Sequence, residues 1–194
     1  MNNLREIIFV TNNSYKFQIA KKQLKNSSFK LVQKKLNTPE IQDKSVKKVA
    51  EFSARWASNV LNKPVVVSDG GCYIKVLNGF PGPFIKYVNK WLSPKDLIAI
   101  MKNEKNRSLE WRSCLTYCEP KGDPISFISI FKGKVSNDIG KNIYREKYGW
   151  IDSLFVPDGY TKPLSELLDE DYLNFWKDNS WKRLLSYLKK NKNF

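Results

Sequence analysis

Glu40 and Asp69 are the acids whose neighbourhoods in the chain make them candidates for chemistry. Glu40 stands ahead of a helical pattern and Asp69 directly after the apolar run Val65 to Val67, so both can lie at one edge of a sheet and face one cleft. Two converging carboxylates suit Mg²⁺, which prefers hard oxygen ligands and phosphate oxygens and lowers the pKa of an attacking water. Either acid can equally be an ordinary helix cap. The segment TNNSYK, Thr11 to Lys16, sets a hydroxyl, two amides, backbone N–H groups and an amine where a strand turns into a helix. A helix N-terminus favours an anion, so the segment suits a phosphate, although it reads as well as a capped surface turn. LNGFPGPFIKY, Leu77 to Tyr87, gathers two glycines, two prolines and two phenylalanines beside Lys86. Such a rigid loop can aim a lysine, or it can be a tight crossover from strand to helix.

The absence of histidine excludes Ser-His and Cys-His nucleophilic pairs, which leaves acid-base work to carboxylates, lysine or metal-bound water. Cys72, Cys114 and Cys118 are odd in number and lack CxxC spacing, so zinc is not expected and a reducing compartment is.

The elements that must position these residues follow from apolar periodicity. Glu6 to Thr11 reads as a strand, Tyr15 to Leu24 as a helix and Phe29 to Val32 as a second strand, a βαβ opening. Val46, Val49, Ala50, Ala54 and Ala57 mark one face of a helix that ends near Leu61 ahead of Pro64. Val65 to Val67 is then a buried strand, Asp69-Gly70-Gly71 a turn, and Cys72 to Leu77 another strand closed by Asn78-Gly79. Helices are expected over Phe84 to Trp91 and from Ser93-Pro94 to about Met101, where serine caps and proline takes the first helical position. Leu109 to Tyr117 and Ile125 to Val135 form a hairpin about Pro120 to Asp123. Ser153 to Val156 is a short strand, and Trp181 to Leu188 belongs to a C-terminal helix with Asp178 as its N-cap. No internal repeat or linker is evident.

At 194 residues, with 41% hydrophobic and 27% charged residues, the chain suits one globular domain spanning 1–194. Its apolar runs are strand-sized, far short of the about 20 residues that cross a bilayer, so no membrane partner is expected. The polar N-terminus, Met1 to Glu6, leads straight into a strand, and a cytoplasmic protein is expected. A net charge of +15 invites a nucleic-acid partner. The lysines are nevertheless spread along the chain without a basic block, as in a lysine-rich proteome, and nucleic acid is not expected.

The combination of TNNSYK, PEIQ at Pro39 to Gln42, VVVSDGG at Val65 to Gly71 and LNGFPGPFIKY resembles the inosine triphosphate pyrophosphatase, or Ham1-like, family. FKGKV, YGWIDSLFVPDGY and SEL continue the likeness to Leu167. The resemblance implies an α/β fold with an elongated mixed β-sheet flanked by helices, two lobes with a central nucleotide cleft, and a homodimer. It implies hydrolysis of non-canonical nucleoside triphosphates to monophosphate and pyrophosphate with Mg²⁺, a house-cleaning of the nucleotide pool. By position, Thr11, Asn13 and Lys16 would bind the triphosphate, Glu40 and Asp69 would hold Mg²⁺ and orient water, and Lys86 would neutralise phosphate charge. Asp69, Lys16 and Lys86 are thus the implied catalytic residues. Phe80, Trp150 and Asp152 are implied substrate contacts, the last two in the base pocket.

The chain departs from the family pattern in three places. Ser68 replaces the first of two acids, which removes one negative charge from the metal and water site. The FGWDP or FGYDP pattern appears as YGWID, with Ile151 ahead of Asp152. Asp178-Asn179-Ser180 stands where the family has Ser-His-Arg, so Asn179 and Ser180 face the base without charged donors to its keto oxygen. These departures leave a second reading open, a catalytically weak nucleotide-binding relative that acts as sensor or scaffold.

Overall fold

The computed structural model describes residues 5–141 and 149–191, and the side chain of Trp150 lies outside that description. Among the described residues seven strands and six α-helices follow one another. The strands are β1 (Arg5–Val10), β2 (Phe29–Lys34), β3 (Val65–Ile74), β4 (Pro81–Gly82), β5 (Ser108–Cys118), β6 (Ile125–Val135) and β7 (Phe155–Pro157). The helices are α1 (Ser14–Leu24), α2 (Val46–Leu61), α3 (Ile85–Trp91), α4 (Pro94–Ile100), α5 (Asp169–Phe175) and α6 (Ser180–Lys190). The sheet runs β2-β1-β3-β5-β6-β7, with β4 on β3. It is mixed, because β1 is parallel to both β2 and β3 while β3/β4 and β6/β7 are antiparallel.

The chain forms two compact units, whose boundary falls within β3, β5 and β6. Unit 1 holds the residues up to Asp69, Ser113–Ser129 and the chain from Trp176 on. The runs Ile7 to Val10 of β1 and Val65 to Val67 of β3 are apolar without a break because both of their faces are covered. Ile7 and Phe9 of β1, with Val66 of β3, pack in a core with Ala20 and Leu24 of α1 and Trp181, Leu184 and Leu188 of α6. Val10, Val65 and Val67 join Ala54 and Ala57 of α2 in a second core, as the two-residue alternation of a strand requires. Phe9 and Trp181 meet edge to face at 5.3 Å. The alanine positions let α2 lie close, and its ends are fixed by Ser45, whose side chain accepts from Lys48 N, and by Asn62 in the left-handed region at φ 47°.

Unit 2 comprises Gly70–Arg112 and Ile130–Phe175. Phe131, Phe155 and Tyr160 surround Phe175 at 5.2, 5.9 and 6.0 Å. Arg107 donates to the carbonyls of Met101, Val135 and Ser136 at 2.8, 2.9 and 2.7 Å, which ties the end of α4 to β6. Ser93 and Asp96 form a reciprocal capping box on α4, as the Ser-Pro start implies.

Four local expectations are corrected. Asp69-Gly70-Gly71 is no turn but the middle of the continuous strand β3. The glycines serve close approach: a Cβ on Gly70 would stand 3.0 Å from the Trp111 indole, and one on Gly71 would stand 2.9 Å from the Gly82 backbone, which β4 pairs beside Cys72. The strand expected over Cys72 to Leu77 ends at Ile74 and tightens into a 3-10 helix, Lys75–Leu77, which stops at Asn78 with φ 53°. The strand expected at Ser153 begins at Phe155, after a 3-10 helix over Trp150–Ser153. Asp178 does not cap α6. That position is Asn179, and Asp178 Oδ1 instead accepts from Ser180 N at 2.7 Å and from the Ser180 hydroxyl. Helix α5 had no helical period to announce it, since Tyr172 is its one buried residue; three acids in its first turn suit the dipole there.

Candidate active site

The loop from β1 to α1 is held open at the sheet edge by the end of β2. Thr11 N donates to Lys34 O at 3.1 Å, Gln33 Nε2 donates to Thr11 O at 3.0 Å, and Asn12 Nδ2 donates to Leu36 O at 3.1 Å. Thr11 Oγ1 accepts from Asn13 N at 3.1 Å, which leaves its own proton to donate. Asn13 is the N-cap of α1, and its Oδ1 accepts from Lys16 N at 3.0 Å. The first turn of α1 contains no acid. The dipole at this N-terminus favours an anion, and no acid within the first turn offsets it.

Lys16 crosses from this turn to β3, where its Nζ donates to Ser68 O at 2.7 Å. Burial of the amine lowers its pKa, and the negative charges of Asp69 and, less strongly, Glu40 oppose that shift. Unit 1 thus brings Lys16, Glu40 and Asp69 into one electrostatic cluster beside Thr11 and Asn13. Asp69 is half-buried and Glu40 exposed. Among the described residues no group of three or more His, Cys, Asp or Glu side chains gathers to hold a metal. Two carboxylates beside the N-terminus of α1 nevertheless fit Mg²⁺, which is habitually held by one or two carboxylates together with water and phosphate oxygens. Asn179 is exposed at the start of α6, whereas Ser180 is buried and its hydroxyl is committed to Asp178.

The other expected site residues belong to unit 2. Phe80 precedes a cis peptide bond to Pro81 and is 41% exposed. Pairing of Tyr73 with Pro81 and Cys72 with Gly82 holds this loop on β3. Lys86 is exposed in the first turn of α3, its Nζ 6.0 Å from the Tyr87 ring centre. Asp152 is buried in the 3-10 helix, and its Oδ2 accepts from the Tyr172 hydroxyl at 2.9 Å. Two supporting residues escaped the sequence reading. Gln33 is one polar residue in an edge strand, and Tyr172 lies 20 residues from its partner, so neither spacing nor type singles them out.

A mixed sheet whose first strand leads into the capped N-terminus of α1, with a lysine and two acids gathered beside it, defines an α/β protein whose first loop favours an anion. The chain belongs to the Ham1 family, whose model matches residues 7–174. Among curated proteins it is 34% identical over 172 residues to the dITP/XTP pyrophosphatase of Methanosarcina mazei, covering 87% of this chain and 88% of that one. It is 32% identical over 162 residues to the dITP/XTP pyrophosphatase of Methanopyrus kandleri, covering 84% of each. Its fold matches the solved HAM1 protein of Coxiella burnetii with a TM-score of 0.77 at 19% identity, over 96% of this chain and 98% of that one.

Proposed function

We propose that this chain is a nucleoside triphosphate pyrophosphatase that hydrolyses non-canonical purine nucleotides, of the dITP and XTP kind, to monophosphate and pyrophosphate. The observation that carries this reading is the Lys16 ammonium, drawn from the N-terminus of α1 to Ser68 O and set in the field of Asp69 and Glu40. The membership and the names of the relatives support the same substrate class.

In this mechanism the first turn of α1, the Thr11 hydroxyl and Lys16 bind the triphosphate. Asp69 takes the proton of a water that adds at the α-phosphorus; the α–β anhydride bond breaks, and pyrophosphate leaves with its electron pair. Glu40 and Asp69 would hold Mg²⁺, which screens phosphate charge and acidifies water. Phe80, Lys86 and Asp152 of unit 2 are the further residues that the family likeness assigns to the substrate. The working form is a homodimer, which light scattering on the purified protein checks.

The test is a pyrophosphate-release screen with Mg²⁺ over dITP, XTP, ITP, ATP and GTP. Faster turnover of the keto-purine nucleotides than of ATP supports the reading, and silence across the panel overturns it. Ser68 in place of an acid favours a second reading, a binding protein with feeble turnover. Calorimetric binding of dITP without pyrophosphate is its signature.

A further inference from the structure

Asp69 is half of a dipeptide whose other half has no side chain. Gly70 is the next residue of the uninterrupted strand β3, and a Cβ there would lie 3.0 Å from Trp111 Cζ2, 3.2 Å from Nε1 and 3.3 Å from Cε2. The Nε1–Cε2–Cζ2 side of the indole thus fills the space that a side chain at position 70 would need. Trp111 is only 5% exposed, so it has little freedom to withdraw. Its strand is held on the opposite side as well: Arg112, the next residue, covers the ring of Tyr73 in β3 at 4.3 Å. Successive strand residues face opposite sides. An indole pressed on Gly70 therefore backs the strand directly behind the residue that carries the carboxylate.

We propose that Trp111 is a positioning residue for Asp69: its contact with Gly70 fixes the height of β3 at the site, and with it both the Asp69 carboxylate and the Ser68 carbonyl that anchors Lys16. The inference rests on the pyrophosphatase reading above. Catalysis depends steeply on such placement, since a shift of about 1 Å costs up to about 100-fold in rate. Substrate binding, which is spread over the phosphate loop, is less sensitive.

The experiment compares wild type, Gly70→Ala, Trp111→Phe and the double variant for pyrophosphate release from dITP, with melting temperatures measured alongside. Gly70→Ala is expected to lower kcat at least tenfold with KM within threefold. Trp111→Phe, which removes the atoms nearest Gly70 and keeps an aromatic core, is expected to lower kcat severalfold. In the double variant the smaller ring makes room for the new methyl group, so kcat should exceed that of Gly70→Ala alone. A Gly70→Ala enzyme with wild-type kcat, or a double variant whose loss is the product of the single losses, overturns the inference. If Gly70→Ala fails to fold, a Trp111→Phe protein that folds with unchanged kcat overturns it equally. A wild-type protein with no turnover refutes the activity itself, and Trp111 then positions no catalytic group; turnover in wild type with insensitive variants refutes only the role of Trp111.

Discussion

Lys16 sits where three influences compete. Burial favours its neutral form, while the charges of Asp69 and Glu40 favour the ammonium that a triphosphate needs. The folded-state pKa is held below the ordinary lysine value, so the ammonium is lost as pH rises through that lowered value. Neutralising Asp69 removes the stronger of the opposing charges and lowers the pKa further. In Asp69→Asn the alkaline weakening of dITP binding should accordingly begin at lower pH than in wild type, as calorimetry across pH 7 to about 10.5 would read. At this scale the sequence was informative about residue types: it singled out TNNSYK, Glu40 and Asp69, and in unit 1 the Lys16 amine feels the charges of Asp69 and Glu40. It read Ser68 only by its side chain and was silent on its backbone carbonyl, which is the atom that receives the lysine. No residue type advertises a backbone acceptor.

Among the elements, α4 illustrates what a local signal fixes. Ser93-Pro94 announces a helix start, and the structure closes it with a capping box through Asp96. Ser93→Ala should cost about 1 kcal/mol and lower the melting temperature by about 2–4 °C at neutral pH. Asp96 has its pKa held below the usual aspartate range by the Ser93 hydroxyl and backbone N–H, so its contribution is present at neutral pH and fades as the carboxylate protonates in acid. The gap between the two proteins should narrow there in thermal melts. Signals that depend on partners distant in the chain were read less well. Asp69-Gly70-Gly71 has the composition of a turn, yet Trp111 and Gly82 require its glycines for space within a strand. Strand β4 is two residues long and exists only because β3 pairs with it. Helix α5, with one buried side chain, leaves no period to find.

For the whole molecule, the net charge of +15 that the sequence spreads evenly is not evenly shared in space. Among the described residues unit 1 carries 19 Lys and Arg against 8 Asp and Glu, whereas unit 2 carries 12 against 10. The excess thus resides in the unit that contains the β1–α1 loop, where its field favours a polyanionic small molecule. The kcat/KM for dITP should fall severalfold between about 20 and 200 mM salt, as the screening length shrinks to about 7 Å, while kcat changes little. Most of the element order was legible along the chain because the apolar periods are local; the place of the boundary between the two units, inside three strands, was not. The account stands most directly on the kcat of Asp69→Asn beside wild type in pyrophosphate release from dITP with saturating Mg²⁺. Loss of about 100-fold or more, with dITP still bound near neutral pH, is the predicted result, and turnover at the wild-type rate would contradict it.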